Sequence, residues 1–325
     1  MLDKFGRNIN YLRLSVTDRC DLRCQYCMPK KTEFYPKSDF LSLEDLKRIS
    51  FSLFDVGINK IRITGGEPLI RKDIMKFLQF LSLQKKNNRI KEILLTTNGT
   101  QLNKNSSEIS DLGIKRINVS LDSLIPQKYS FITNGGSLTK VLDGIYQAKD
   151  NGINIKINVV LLKNFNEDEV ISFVKWGAKN DFVISFIEVM PVGELNISRK
   201  NQYLSVETAK NIIEENYDLF PANHQTNGPS RYFKIKKLES LVGFISPISN
   251  NFCNGCNRIR ITSSGILYGC LGHDSSVDLK PYLKNKKFNS LKEIIQKTIF
   301  NKPEKHYFKI EDKSSVGRFM NTTGG

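Results

Sequence analysis

Short apolar runs alternate with amphipathic segments, six times over, through the first two thirds of the sequence. The apolar runs lie at 9–16, 59–64, 92–97, 116–121, 153–162 and 182–189. Helical periodicity follows each, at 42–57, around 74–81, and at 103–112, 137–151, 166–179 and 205–216. In the first of these Leu46, Ile49, Leu53 and Phe54 share a face, Ser42 can cap the start and Gly57 can end it. Strand–helix units in series build a parallel sheet, because each helix carries the chain back across it in a right-handed crossover. Six units fall short of the eight that close a barrel. The expected fold class is therefore α/β, a partial (βα)6 TIM-type barrel, with its chemistry at the C-terminal ends of the strands.

After about residue 220 the pattern changes. "PANHQTNGPS" reads as a loop, "RYFKIKKL" and "LVGFISPIS" as short strands, "RIRITSSGILYGC" as a hairpin and 289–300 as a helix. The expected division is a barrel at 1–220 and a smaller α+β module at 221–325 carrying its own metal site. No run of 18 apolar residues is present, so no membrane span is expected. The start, "MLDKFGRNIN", has no apolar stretch typical of a secretory signal, which makes a cytoplasmic location the default.

In a reducing compartment six cysteines are free to bind metal, and these six fall in two distant sets. Cys20, Cys24 and Cys27 form C-x3-C-x2-C in the loop leaving the first strand. Zinc sites usually take four protein ligands, and ordinary iron–sulfur cubes take four cysteines. Three thiolates leave one iron open, which is where a small molecule can bind. Cys253, Cys256 and Cys270 form C-x2-C-x13-C. A zinc site there needs a fourth ligand, for which His273 is the nearby candidate; a second cluster with an exposed iron is the other reading. Arg258 and Arg260, two apart on one strand face, suit an anion beside that metal.

The first cysteine motif, with Tyr26 before its last cysteine, resembles the radical S-adenosylmethionine (SAM) family. "TGGEP" at the end of the second strand resembles that family's glycine-rich SAM segment. A narrower resemblance runs nearly end to end. "YLRLSVTDRCDLRCQYC", "KIRITGGEPLIRKD", "LTTNG", "RINVSLDS", "FIEVMPVG", "FCNGCNRIRIT" and "MNTTGG" resemble the GTP 3′,8-cyclase family of molybdenum cofactor biosynthesis. That resemblance implies two [4Fe–4S] clusters, with the first cleaving SAM to a 5′-deoxyadenosyl radical. The radical takes the ribose 3′-hydrogen of GTP, and attack on guanine C8 gives (8S)-3′,8-cyclo-7,8-dihydroguanosine 5′-triphosphate. Tyr26, Gly66, Ser120 and Met190 match SAM contacts. Arg13, Arg62, Thr96, Lys156, Arg258 and Arg260 match GTP contacts. Gly324 and Gly325 match a tail that reaches the active site and is needed for activity.

Strand physics agrees with part of that assignment. Arg13, Arg62 and Lys156 each sit within a strand of a buried parallel sheet, a costly place for charge unless an anion meets it. One departure stands out: where the family commonly has arginine before "FIE", this chain has Ser185, for which Arg231 or a nearby lysine is the candidate substitute.

The resemblance also implies a one-electron reductant such as flavodoxin or ferredoxin, and a downstream cyclic pyranopterin monophosphate synthase. A homodimer is one assembly it allows. The net charge of +16 suits nucleic acid, anionic membranes or phosphorylated small molecules, and a lysine-rich solvated surface gives the same value. The expected partner is GTP, with neither nucleic acid nor membrane. A peptide-modifying radical SAM enzyme and a basic zinc protein are the competing readings. Beyond that zinc candidacy His273, like His224 and His306, carries no expected role, and Trp176 is assigned to the core.

Overall fold

The computed structural model describes residues 1–193, 198–224, 226, 228–284, 288–311 and 314–324. Its organising element is a single twelve-stranded sheet among those residues. β1 (Tyr11–Ser15), β2 (Lys60–Thr64), β3 (Glu92–Thr97), β4 (Arg116–Ser120), β5 (Asn154–Leu161) and β6 (Val183–Glu188) lie side by side in chain order, all parallel. Each strand falls inside its expected apolar run. The connecting helices include Leu43–Asp55, Ile74–Lys86, Leu102–Asp111, Leu138–Asp150 and Val170–Lys179. Ser42 caps the first through a reciprocal pair with Asp45, and Gly57, at φ +94°, turns the chain out of it.

The periodicity does not show every element or its start. A short helix, Pro126–Thr133, follows β4 with proline at its start. The helix expected from residue 166 begins at Val170, because 167–169 form a tighter turn.

Alternation along the strands sorts the residues between two sides. Leu12 and Leu14 of β1, Ile61 and Ile63 of β2, and Ile155, Ile157, Val159 and Leu161 of β5 are buried in the main core, which the helices cover. Their neighbours Tyr11, Arg13, Arg62, Lys156 and Asn158 line the other side, where the sheet curves round a cavity. A parallel sheet covered on both faces by apolar layers reads as continuously apolar; here several lumen-side positions of β1, β2, β4 and β5 are polar because they line the cavity.

The sheet remains open. β9 (Ser240–Ile245) pairs in parallel with β6 and continues antiparallel through β8 (Arg231–Ile235) to β7 (Leu219–Pro221). At the other edge β10 (Arg258–Ile261) pairs in parallel with β1, followed antiparallel by β11 (Ile266–Tyr268) and β12 (Ser276–Asp278). Segments after residue 220 therefore extend both edges of the sheet built before it. No helix among the described residues is long and apolar enough to cross a membrane.

Candidate active site

The first cysteine set leaves the C-terminal end of β1 as a loop fastened at several points. The Arg23 and Gln25 amides donate to the Thr133 and Ile132 carbonyls at 3.1 and 2.9 Å. The Gly66 amide donates to Thr17 O at 2.8 Å and the Glu67 amide to Arg19 O at 2.8 Å. A Cβ on Gly66 would lie 2.1 Å from Arg19 O, so only glycine permits this approach. Glu67 is buried and accepts from Leu69 N, Thr97 Oγ1 and Asn98 N, locking the glycine segment to the end of β3. Burial pushes its carboxyl up to about 7.

Cys20, Cys24 and Cys27 lie close enough to influence one another, and burial raises all three thiols, Cys20 and Cys27 to about 12. Thiolates at such a site call for a strongly positive ligand, as an iron–sulfur cluster supplies. The Tyr26 hydroxyl donates to buried Asp122 at 2.7 Å, and Asp122 also takes the Val160 amide. Ser120 ends β4 opposite Asn158, and Met190 lines the cavity just beyond β6.

Inside the lumen, register sets three arginines in a row. Arg13 pairs with Arg62 on one side and Arg260 on the other, at one height and on one face. Arg62 donates to Tyr11 Oη at 2.6 Å, Leu95 O at 3.1 Å and Thr96 Oγ1 at 3.2 Å. Arg13 Nε is buried without a partner. Burial, then Arg260 and Arg62, hold the Arg13 pKa well below its usual value. Lys156 is likewise lowered by burial and donates to Tyr232 Oη at 2.7 Å. The cavity measures about 400 Å³, the scale of a small-molecule site.

The second cysteine set closes the opposite end. Cys253 and Cys256 precede β10, which runs parallel to β1, and Cys270 follows β11, which runs back; all three line the cavity. Five residues of β1 at about 3.3 Å each put the two sets on the order of 15 Å apart along the strand direction. The first set lies at the C-terminal strand ends, while Arg13, Arg62 and Lys156 lie within the lumen and the second set lies at the far end. Burial opposes the Cys256 thiolate, but Arg258 and Lys302 outweigh it and bring the thiol down to about 6. Arg258 lies 3.7 Å from Cys256 Sγ and stacks over Phe252.

His273 Nε2 donates to Lys305 O at 2.8 Å, so that nitrogen carries a proton and is not a metal ligand. Among the described residues no three His, Cys, Asp or Glu side chains converge as one chelated ion requires. A cube does not ask for that, because each thiolate binds a different iron.

The chain returns to the site at its end. Asn321 donates to Asp18 O at 2.8 Å, beside the first cysteine loop. The Gly324 carbonyl accepts from Arg260 at 2.6 Å, joining the tail to the arginine row. Gly324 has φ +75°, and a Cβ there would lie 2.1 Å from Thr64 Cγ2. Gly325 lies outside the described residues.

Ser185 bonds Ser230 at 3.0 Å in a tight junction with Gly243, where an added Cβ would meet Ser230 Oγ at 2.4 Å. Arg231 does not stand in for the missing arginine. It is exposed, reaches Asn250 at 3.2 Å and does not line the cavity, because strand alternation turns Tyr232 inward instead. Tyr11, Asn158, Tyr232 and Lys302 line the cavity without having been singled out from sequence. Tyr11 was within reach of the same reasoning, since it sits two residues before Arg13 on the same strand face.

Comparison with known proteins points the same way. Residues 14–177 match the Radical SAM superfamily and 182–308 match Molybdenum Cofactor Synthesis C. The GTP 3′,8-cyclases of Nitrobacter winogradskyi and Bradyrhizobium diazoefficiens are 45% and 44% identical, each over all of this chain and 96% of the relative. The crystal structure of Streptococcus suis SuiB bound to S-adenosylmethionine superposes with a TM-score of 0.63 at 16% identity, over 83% of this chain and 63% of that one. Histidine-tagged anSMEcpe with bound AdoMet gives 0.52 at 19% identity, over 63% and 57%. At such identities these two show a shared fold.

The packing of Gly324 gives a direct test. Gly324→Ala should expel the tail, seen as faster proteolysis or hydrogen exchange at residues 314–324, with both cysteine loops still protected. Unchanged protection of the tail would mean that it does not seat against Thr64.

Proposed function

This chain belongs to the GTP 3′,8-cyclase family of radical SAM enzymes in molybdenum cofactor synthesis, and on that premise we propose that its lumen holds GTP between two iron–sulfur clusters and cyclises it. The observation that carries this reading is the row Arg62–Arg13–Arg260, three cations in register with Arg13 Nε unpartnered. Neutral acceptors satisfy some of their hydrogen bonds but none of their charge. A triphosphate supplies that charge, with Lys156 and Thr96 at the same site.

Cys20, Cys24 and Cys27 would hold the first cluster, and Cys253, Cys256 and Cys270 the second, each leaving an iron open. The Gly66 amide is taken by Thr17, so its carbonyl would meet the amino group of SAM, with Tyr26, Ser120 and Met190 as the further SAM contacts. When bound, the first cluster and SAM supply a 5′-deoxyadenosyl radical, the oxidant for the ribose 3′-hydrogen. Arg258 and Arg260 would orient GTP between the clusters, with the guanine toward the second. The tail through Gly324 and Gly325 would close the lumen and keep water from the reacting atoms. A reductant of the flavodoxin or ferredoxin type and a consuming cyclic pyranopterin monophosphate synthase complete the reading, in a cytoplasm that keeps both cysteine sets reduced.

GTP deuterated at C3′ should pass its label to 5′-deoxyadenosine and yield a GTP isomer when incubated anaerobically with the reconstituted chain, SAM and a strong reductant. SAM cleavage without label transfer would remove GTP as the hydrogen donor. Arg13→Gln should weaken GTP binding by about 1.5–3 kcal/mol, roughly 10- to 150-fold, while SAM affinity holds; equal GTP affinity would take the triphosphate away from the arginine row. Cys20→Ser should abolish SAM cleavage, whereas Cys256→Ser should retain uncoupled cleavage and lose cyclisation. Equal loss of both in a folded Cys256→Ser protein would contradict the division of labour between the two ends.

A further inference from the structure

Arg199 is among the largest fully buried side chains, at 2% exposure, and it lies outside the lumen. Its Nη2 donates to the Tyr26 carbonyl at 2.9 Å and the Val192 carbonyl at 2.8 Å, and Nη1 reaches Gln202 Oε1 at 3.1 Å. Nε has no partner. All three acceptors are neutral, and no ion pair to it is found among the described residues. Outside the row Arg62–Arg13–Arg260, several other recessed arginines are matched differently: Arg7 has Asp3, Arg71 has Asp73, Arg116 has Glu92 and Arg318 has Asp274. A fully buried guanidinium with no acid beside it is costly unless another negative charge is near.

Burial lowers the Arg199 pKa to about 10, and Cys27, the metal-ligand candidate next to Tyr26, is the nearest group that would carry negative charge once it binds a cluster. Tyr26 immediately precedes Cys27, so the guanidinium grips the backbone of the cysteine loop itself. Val192 lies just past Met190 and bridges to Val316 of the tail. Arg23 also donates to the Cys20 carbonyl, but it is only half-buried, so solvent screens its charge.

We propose that Arg199 is a positioning residue that sets a permanent positive charge beside the cluster held by Cys20, Cys24 and Cys27, making that cluster easier to reduce. The proposal rests on assigning those cysteines to a cluster. Reduction adds one electron from an external donor, and hence one negative charge, to the cluster. A fixed cation in a low-dielectric setting stabilises the reduced form more than the oxidised one and raises the reduction potential. The two carbonyl bonds hold the charge in place.

The test is an anaerobic redox titration of the fully loaded chain with dithionite and mediators, followed by electron paramagnetic resonance. The first cluster is recognised by the change in its signal when SAM is added. Wild-type protein tests the cluster assignment, and the absence of any SAM-responsive signal there would remove both assignment and proposal. At the poise that half-reduces the first cluster in wild type, Arg199→Gln should show a several-fold lower reduced-to-oxidised ratio, with the second cluster unmoved. Arg199→Lys keeps the charge but not the paired carbonyl bonds, and should titrate close to wild type. A loaded Arg199→Gln protein with the wild-type ratio overturns the proposal. Should that variant fail to load its first cluster, Arg199→Lys decides: loading with a near wild-type ratio supports a role for charge, and failure to load, or a lowered ratio, reduces Arg199 to a structural clamp.

Discussion

Parallel register forces like charges together in the lumen. Strands β10, β1 and β2 align residue for residue, so one arginine on each stands beside the next with no carboxylate between them. Much of the surrounding architecture supplies neutral acceptors to that row. Tyr11 Oη, Leu95 O and Thr96 Oγ1 take Arg62, and Gly324 O takes Arg260. Carbonyls and hydroxyls answer the directional demand of a guanidinium without neutralising it, which leaves a field set before any anion arrives. An acid at any of these positions would neutralise the arginines and remove that field.

The two cysteine loops face that field from opposite ends, and one stretch of chain touches both. Arg318 pairs with Asp274 at 2.7 Å and donates to the carbonyls of Leu271 and His273, within the loop that follows Cys270. Three residues later Asn321 bonds Asp18 beside the first set, and Gly324 then meets the arginine row. The positions of the two cysteine loops are thereby linked through residues 318–324.

What was legible in the sequence is what depends on local periodicity. The six parallel strands and their main helices follow from alternation and caps such as Ser42, where short-range geometry decides the outcome. Arg13, Arg62 and Lys156 could be marked because charge inside a parallel strand has few explanations. The addition of β10 to β1 could not be read, since a four-residue strand carries no signal of its partner some 250 residues away. For the same reason Arg260 was expected near a metal and on the same ligand as Arg13, but its pairing with Arg13 across neighbouring strands was not. Arg199 gave no signal either: it sits in a polar stretch, and its burial depends on carbonyls of Tyr26 and Val192 that only the folded chain brings to it. Of the substitutes suggested for the missing arginine at Ser185, Arg231 is ruled out by strand alternation, which sends it outward.

That late addition also bears on how the chain comes to be folded. Strand β1 is made first and can pair with β2 early, yet its other edge waits for residues 258–261. Until they emerge, a nascent chain carries an unpaired row of backbone N–H and C=O groups flanked by Leu12 and Leu14, the kind of edge that recruits other strands. Its protection during synthesis then falls to chaperones or to fast closure by the C-terminal segment, and any arrest before β10 is complete leaves a particle prone to aggregate rather than a smaller working enzyme.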